Sequence, residues 1–229
     1  MNGQDFLKTL NDEILAHPFL SGPFVQRIST PGGVTRAQAR KFALLYYPHI
    51  FRTRLYQANA LGISPDENIQ FCLADILYDE YGNGDKTKTH PGVYRKLLKA
   101  LEIPEQEYAN APIFPELNMY IDTMMRLTQS GDWLAAFAAV GVASEWPIPE
   151  FYAKILQGMR TVPGLKEEDL ELFSSHIGID EHHSQMTREV LKPYAGIPEG
   201  QFRIRAGVKA NLDARHVMMN GLCREVFGS

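Results

Sequence analysis

The sequence predicts an all-helical protein, on three observations. Apolar residues recur at a period near 3.6 from end to end. Alternating β-branched runs closed by Asn-Gly or Asp-Gly, the signature of hairpins, are nearly absent. Glycine and proline mostly fall between the periodic stretches. With 229 residues and 45% hydrophobic content, one compact domain spanning residues 1–229 is the expected organisation.

Taken in order, Asp5 to His17 reads as a first helix, and the breakers Gly22-Pro23 and Pro31-Gly32-Gly33 bracket a short connection. Thr35 with Gln38 forms a capping box that opens a helix to Gly62, with Phe42, Leu45, Tyr46 and Ile50 inward and Pro48 as an expected kink. Ser64, Pro65 and Glu67 read as an N-cap, a first-turn proline and an N3 acid for a helix ending near Gly82. Pro91 opens a helix through Leu101, followed by helices from Pro115 to Ser130 and from Asp132 to Glu145, where Pro147 and Pro149 interrupt the chain. Two long helices finish it, about Lys166 to Tyr194 and about Pro198 to Phe227.

Composition excludes several classes. The net charge of -4 and the scattered basic residues leave no stripe to neutralise a phosphate backbone, so nucleic acid is not an expected partner. No apolar run approaches the ~20 residues that span a bilayer, and the first residues carry acids, unlike a secretory leader. A cytoplasmic location without membrane attachment is expected. Cys72 and Cys223 lie inside helical patterns without C-x-x-C spacing, which reads as two small core residues.

Chemistry enters through acids placed where the period calls for apolar residues. Glu80 continues the stripe of Ile69, Leu73, Ile76 and Leu77, and Glu145 ends the stripe of Leu134, Phe137, Ala138, Gly141 and Val142. A buried carboxylate without a partner is very costly, and no basic residue lies on either stripe to pair with it. His176, Asp180 and His183 are spaced i, i+4 and i+7, so they fall within about 60° on one helical face. Glu181 and His182 point away from that face. Alone, this triplet is equally a solvated helix face. With His90, ahead of Pro91, the chain offers Glu80, His90, Glu145, His176, Asp180 and His183, an oxygen and nitrogen donor set without thiolate that suits iron or manganese rather than structural zinc. Facing helices of a bundle present such sets to two ions.

The pattern E-x9-H, then E-x30-H-x3-D-x2-H, together with FALLYYPHI at 42–50, D-E-Y-G-N-G-D before His90 and S-E-W-P-I-P around Glu145, resembles the heme-oxygenase-like diiron oxidases over almost the whole chain. That group includes the chlamydial protein associating with death domains and sits in a wider TenA- and PqqC-like superfamily. The resemblance implies a seven-helix heme-oxygenase-like bundle, two iron ions with manganese as the alternative, dioxygen as co-substrate, and oxidation of a small organic substrate: an amino acid, an amine, a fatty acid or the protein's own tyrosine. A homodimer is the expected assembly. N-oxygenating members add a carboxylate from the helix matching 35–62, where this chain reads Phe51, Arg52, Thr53 and Arg54. A self-consuming branch draws on a tyrosine and a lysine, for which Tyr46, Tyr47 and Lys154 stand here, the lysine one position out of register.

Two other classes are open to the same fold: a metal-free enzyme of TenA or PqqC type, and a partner-binding module with structural metals. The TenA-type alternative needs a nucleophilic cysteine near Glu145, and neither cysteine falls in that stretch of sequence. The pocket beside the metals is expected to be lined by Tyr46, Tyr47 and His49, with Arg52 anchoring a substrate carboxylate. Because His90 follows the glycine-containing stretch 82–89, which must order to deliver it, the ion that depends on His90 is expected to be the more weakly held.

Overall fold

A computed structural model describes residues 1–228, apart from the side chains of residues 179–181. Among the described residues there are eleven α-helices and no strands. They are α1 (Gly3–Leu15), α2 (Pro23–Ile28), α3 (Arg36–Ile63), α4 (Glu67–Glu80), α5 (His90–Ala100), α6 (Glu105–Ala109), α7 (Pro115–Gln129), α8 (Trp133–Phe137), α9 (Ile148–Met159), α10 (Glu171–Ala195) and α11 (Pro198–Phe227). The all-helical class stands, but the expected count of seven does not. Short α2 and α6 lie in connections that periodicity is too brief to reveal, and α9 follows directly on the prolines that read as an interruption.

Local chemistry sets the boundaries. Thr35 accepts from the Gln38 amide while Gln38 Oε1 accepts from the Thr35 amide, the reciprocal cap expected of α3. The cap of α4 is Asp66, whose carboxylate accepts from the Ile69 amide. Ser64, expected in that role, ends α3 instead, because Pro65 holds the backbone extended between the two helices. Pro147 and Pro149 do not end a helix but begin one, at positions whose amides would be unpaired in any case.

The longest helices form the frame. α3 packs on α4, α5 and α7; α11 packs on α7 and α8; α10 packs on α9. Close approach of α11 to α8 requires Gly207, since a Cβ there would stand 2.1 Å from the Ala135 carbonyl oxygen. The core of Phe, Leu, Ile and Tyr side chains is continuous through the bundle. Cys72 and Cys223 are free and buried within it, as expected. No helix among the described residues is long and apolar enough to cross a membrane.

Candidate metal centre

Between Phe137 and α9 the chain departs from the α-helix, and that departure places Glu145. Residues Ala138–Val142 form a π-helical turn, with the Ala143 amide bonded to the Ala138 carbonyl at 3.0 Å. Such turns carry one extra residue per turn and are concentrated at functional sites. The Ala139 carbonyl accepts from Asn211 Nδ2 at 2.5 Å and Ser144 Oγ at 3.2 Å, so the irregular backbone stays satisfied. The helix expected to run from Asp132 to Glu145 therefore ends early, and Glu145 projects inward from the turn that follows, 6% exposed. The Trp146 indole N–H donates to Thr187 Oγ1 at 2.8 Å, tying this turn to α10 one helical turn beyond His183.

Glu80 is the last residue of α4 and is also buried. His90 is the first residue of α5, and its Nδ1 stands 2.8 Å from Glu80 Oε2, yet that oxygen has no well-directed hydrogen bond. His183 lies between two acids, with Nδ1 3.2 Å from Glu145 Oε2 and Nε2 3.3 Å from Asp79 Oδ2. His176 donates from Nδ1 to the Leu172 carbonyl at 2.6 Å. A carbonyl can only accept, so Nδ1 carries the proton and the Nε2 lone pair is left free as a ligand. The His90 and His176 rings are 4.4 Å apart. Gln57 of α3 sits between the two carboxylates, its amide 3.5 Å from an oxygen of each.

Electrostatics divide these imidazoles. Burial works against the charged form of His90, but the Glu80 carboxylate outweighs it and raises the His90 pKa. His183 is raised likewise, against burial, by the hydrogen bond and charge of Glu145. His176 goes the other way, pushed down to about 3 by burial and by the positive charge on His90. Glu80 is held below the ordinary carboxylate range because His90 more than offsets the effect of burial.

Five of the six expected ligands therefore converge: Glu80, His90, Glu145, His176 and His183 all line one cavity of about 40 Å³. Asp180 lies outside the described residues. His182 is exposed outside the cavity, 3.7 Å from Asp75, turned away from the ligand face as its spacing requires. Among the described residues no three of these groups stand around one point at ligand spacing; each imidazole stands against a carboxylate or a carbonyl instead. The donor set nevertheless fits a hard to borderline cation. Buried carboxylates and neutral-capable imidazoles face one another, and an oxygen of Glu80 has no hydrogen-bond donor directed at it.

The other cavity walls differ from expectation. His49 lines the cavity as expected. Tyr46 is buried behind it, bonded to Tyr152, and it is Tyr152 that reaches the wall, its ring 5.4 Å from that of His176. Tyr47 and Arg52 line a separate, outward cleft with Phe51 and Tyr108, and Arg52 donates back to the Pro48 carbonyl. Lys154 is held away from the cavity by the Leu20 carbonyl and Glu150. Spacing missed Asp79, Gln57 and Arg215. Arg215 was detectable, since it interrupts the stripe Val208, Leu212, Met219 and Leu222 of α11 just as Glu80 interrupts its own. Cys72, expected to lie apart from Glu145, is close enough for burial and the Glu145 and Asp75 charges to push its thiol up to about 12.

A family model described as an iron-containing redox enzyme matches residues 40–216. Among solved structures, a CADD-like protein of unknown function from Nostoc punctiforme is 18% identical, with 98% of each chain covered and a TM-score of 0.76. A TenA homolog from Pseudomonas syringae is 13% identical, covering 96% of this chain and 92% of that one, with a TM-score of 0.74. A domain of unknown function with a heme oxygenase-like fold from Shewanella denitrificans is 16% identical, covering 97% and 90%, with a TM-score of 0.72. No curated protein matches. At these identities the likenesses establish the heme oxygenase-like fold alone.

Proposed function

The chain belongs to the family of iron-containing redox enzymes, an oxidoreductase in kind, and from that premise we propose that it holds two iron ions and oxidises a small organic substrate with dioxygen. The ligands in this reading are Glu80, His90, Glu145, His176 and His183, with Asp180 completing the helical triplet. Manganese suits the same donors. The observation that carries the reading is the burial of two carboxylates and two imidazoles around one cavity that the half-buried His90 also lines, with the Glu80 oxygen left without a directed donor.

Bound iron supplies the single-electron chemistry that dioxygen requires and that protein side chains lack. Everything else falls to the chain. The Leu172 carbonyl fixes the His176 tautomer, so its free nitrogen faces the cavity. Gln57 donates toward both carboxylates and steadies them without adding charge. His90 and His183 must give up protons held by Glu80 and Glu145 before they can act as ligands. Ile50, Ile76, Ile148 and Leu172 form apolar walls that keep bulk water from the reacting groups. A volume of about 40 Å³ admits dioxygen or a few waters, each needing at least about 10–15 Å³.

The metal-free alternative with a cysteine nucleophile is disfavoured by Cys72 itself, because a thiol pushed up to about 12 stays protonated at neutral pH. The test is anaerobic ferrous titration followed by exposure to air. Saturation near two irons per chain with oxygen uptake is the expected result. Saturation at zero, or full loading with no oxygen uptake across a panel of small acids and amines, overturns the reading.

A further inference from the structure

The same cavity holds a buried cation that no acid among the described residues pairs with. Arg215 is 2% exposed and lines the same cavity as Glu80 and Glu145. Its Nη2 makes two long contacts, 3.3 Å to Tyr120 Oη and 3.2 Å to Ser144 Oγ, both neutral oxygens. Its Nε is buried with no hydrogen-bond partner. The guanidinium otherwise rests against the rings of Phe19 and Tyr120. Among the described residues no carboxylate pairs with it, although a buried arginine is ordinarily found with one.

His49 lines the same cavity. Its Nδ1 is likewise buried without a partner, and burial together with the Arg215 charge keeps the ring neutral. Ser144 follows the π-turn and immediately precedes Glu145, so a single stretch of backbone links this group to the acidic one. The cavity lining thus combines two chemically opposite groups: the carboxylates and imidazoles of the candidate metal centre, and a guanidinium whose Nε has no partner.

We propose that Arg215, with His49 and Ser144, is the subsite for the carboxylate group of an acidic substrate. The planar fork of a guanidinium matches a carboxylate in two parallel hydrogen bonds, and the single charge of Arg215 balances a monoanion more closely than inorganic phosphate. A carboxylate seated there puts the carbon chain attached to it in the cavity that Glu80 and Glu145 also line. A cavity of about 40 Å³ holds the carboxylate and little more, so the rest of the chain requires the apolar walls to move. The role expected of Arg52 thereby passes to Arg215. What happens to the rest of the substrate rests on the proposed metal function, but carboxylate binding does not.

The test uses the full chain, both as purified and after chelator treatment. Radiolabelled propionate is measured by equilibrium dialysis, with propionamide as the neutral isostere and inorganic phosphate as the tetrahedral competitor. In parallel, the arginine Nε–H resonances of isotope-labelled wild-type protein are followed during titration. Saturable propionate binding that propionamide does not displace, persisting after chelation and moving one buried Nε–H signal, is the expected result. Arg215→Lys should weaken it about tenfold or more, and Arg215→Met should abolish it. Equal binding of acid and amide, tighter binding of phosphate, or a buried Nε–H unmoved by propionate overturns the subsite, and the wild-type resonance decides even if the variants fail to fold. Iron stoichiometry on the same samples separates the two ideas. Two irons with no propionate binding discards the subsite alone, whereas propionate binding without iron uptake discards the metal reading alone.

Discussion

The two acid and histidine pairs of the site are built differently. Glu145 and His183 are both deeply buried, and the Trp146 to Thr187 hydrogen bond fixes their elements to each other. Glu80 and His90 are joined only through the surface turn 82–89, and His90 keeps 14% of its side chain exposed against 4% for His183. That turn is nonetheless built rather than slack. Gly82, Asn83 and Gly84 all have positive φ, Asp85 caps Lys86–Lys88, and Thr89 caps α5. Access to water therefore separates the two halves more than any want of local structure does. A ligand that keeps some contact with solvent, as His90 does, competes with water for its ion more than a fully buried one.

The largest expected effect falls on the closed half. Glu145→Gln removes the charge that faces both His183 and Gln57, and total iron affinity should fall on the order of 100-fold or more. His90→Ala should release one iron per chain and leave the other at its wild-type affinity. Stepwise titration with metal analysis reads both, and equal losses from the two variants would erase the distinction between the halves.

Gln57→Glu places a third carboxylate between Glu80 and Glu145. The metal-free chain should lose roughly 3 kcal/mol of stability from the unpaired buried charge, and ferrous ion should restore it by mass action. Urea unfolding with and without iron measures both. Unchanged stability without metal would mean that this part of the site is wetter than its burial indicates.

The paired rings His90 and His176 should answer pH with opposite sign. His176 titrates near 3 in the folded chain and at its ordinary 6.5 in the unfolded one, so its contribution falls as pH drops through that window. His90 is raised, so its contribution is complete below 6.5 and is lost as pH climbs through the folded value. In chelated protein, His176→Gln should flatten the acid side of the stability curve by a few kcal/mol, and His90→Gln should flatten the neutral side. Parallel curves for all three proteins would contradict these assignments.

The smallest effect belongs to the turn. Gly82 has φ +76°, and a Cβ there would stand 2.4 Å from the Asp85 carbonyl oxygen. Gly82→Ala should cost about 1–3 kcal/mol and weaken only the iron that depends on His90. A uniform loss at both irons would show that the turn acts on the whole site.

How much of this was legible in the sequence follows from what each signal measures. Helical period shows which residues face inward, so Glu80 and Glu145 stood out as acids on apolar stripes, and the spacing of His176 and His183 put them on one face. The period does not show what an inward residue meets. Gln57 and Arg215 sit on stripes too, but the groups they meet there come from a turn far away in the chain. Tyr47 and Arg52 share α3 with His49, yet they turn to the outer cleft while His49 turns inward. Ser64 offered a hydroxyl in the right place for a cap, but the conformation imposed by Pro65 moved the cap to Asp66. The π-turn left no periodic trace, because five residues are too few to show a changed period.

That turn also bears on how such a site is gained or lost. Removing one residue from 138–142 would let α8 continue as an ordinary helix, and the turn that carries Glu145 would rotate by about 100°, with the change taken up before α9. Glu145 would then leave the cavity while the surrounding bundle kept its packing partners. A single codon can thus separate a chain that carries the carboxylate from one that lacks it. Homologues of this architecture that have abandoned metal are expected to show a one-residue gap at this point in an alignment, ahead of any substitution of the ligands themselves.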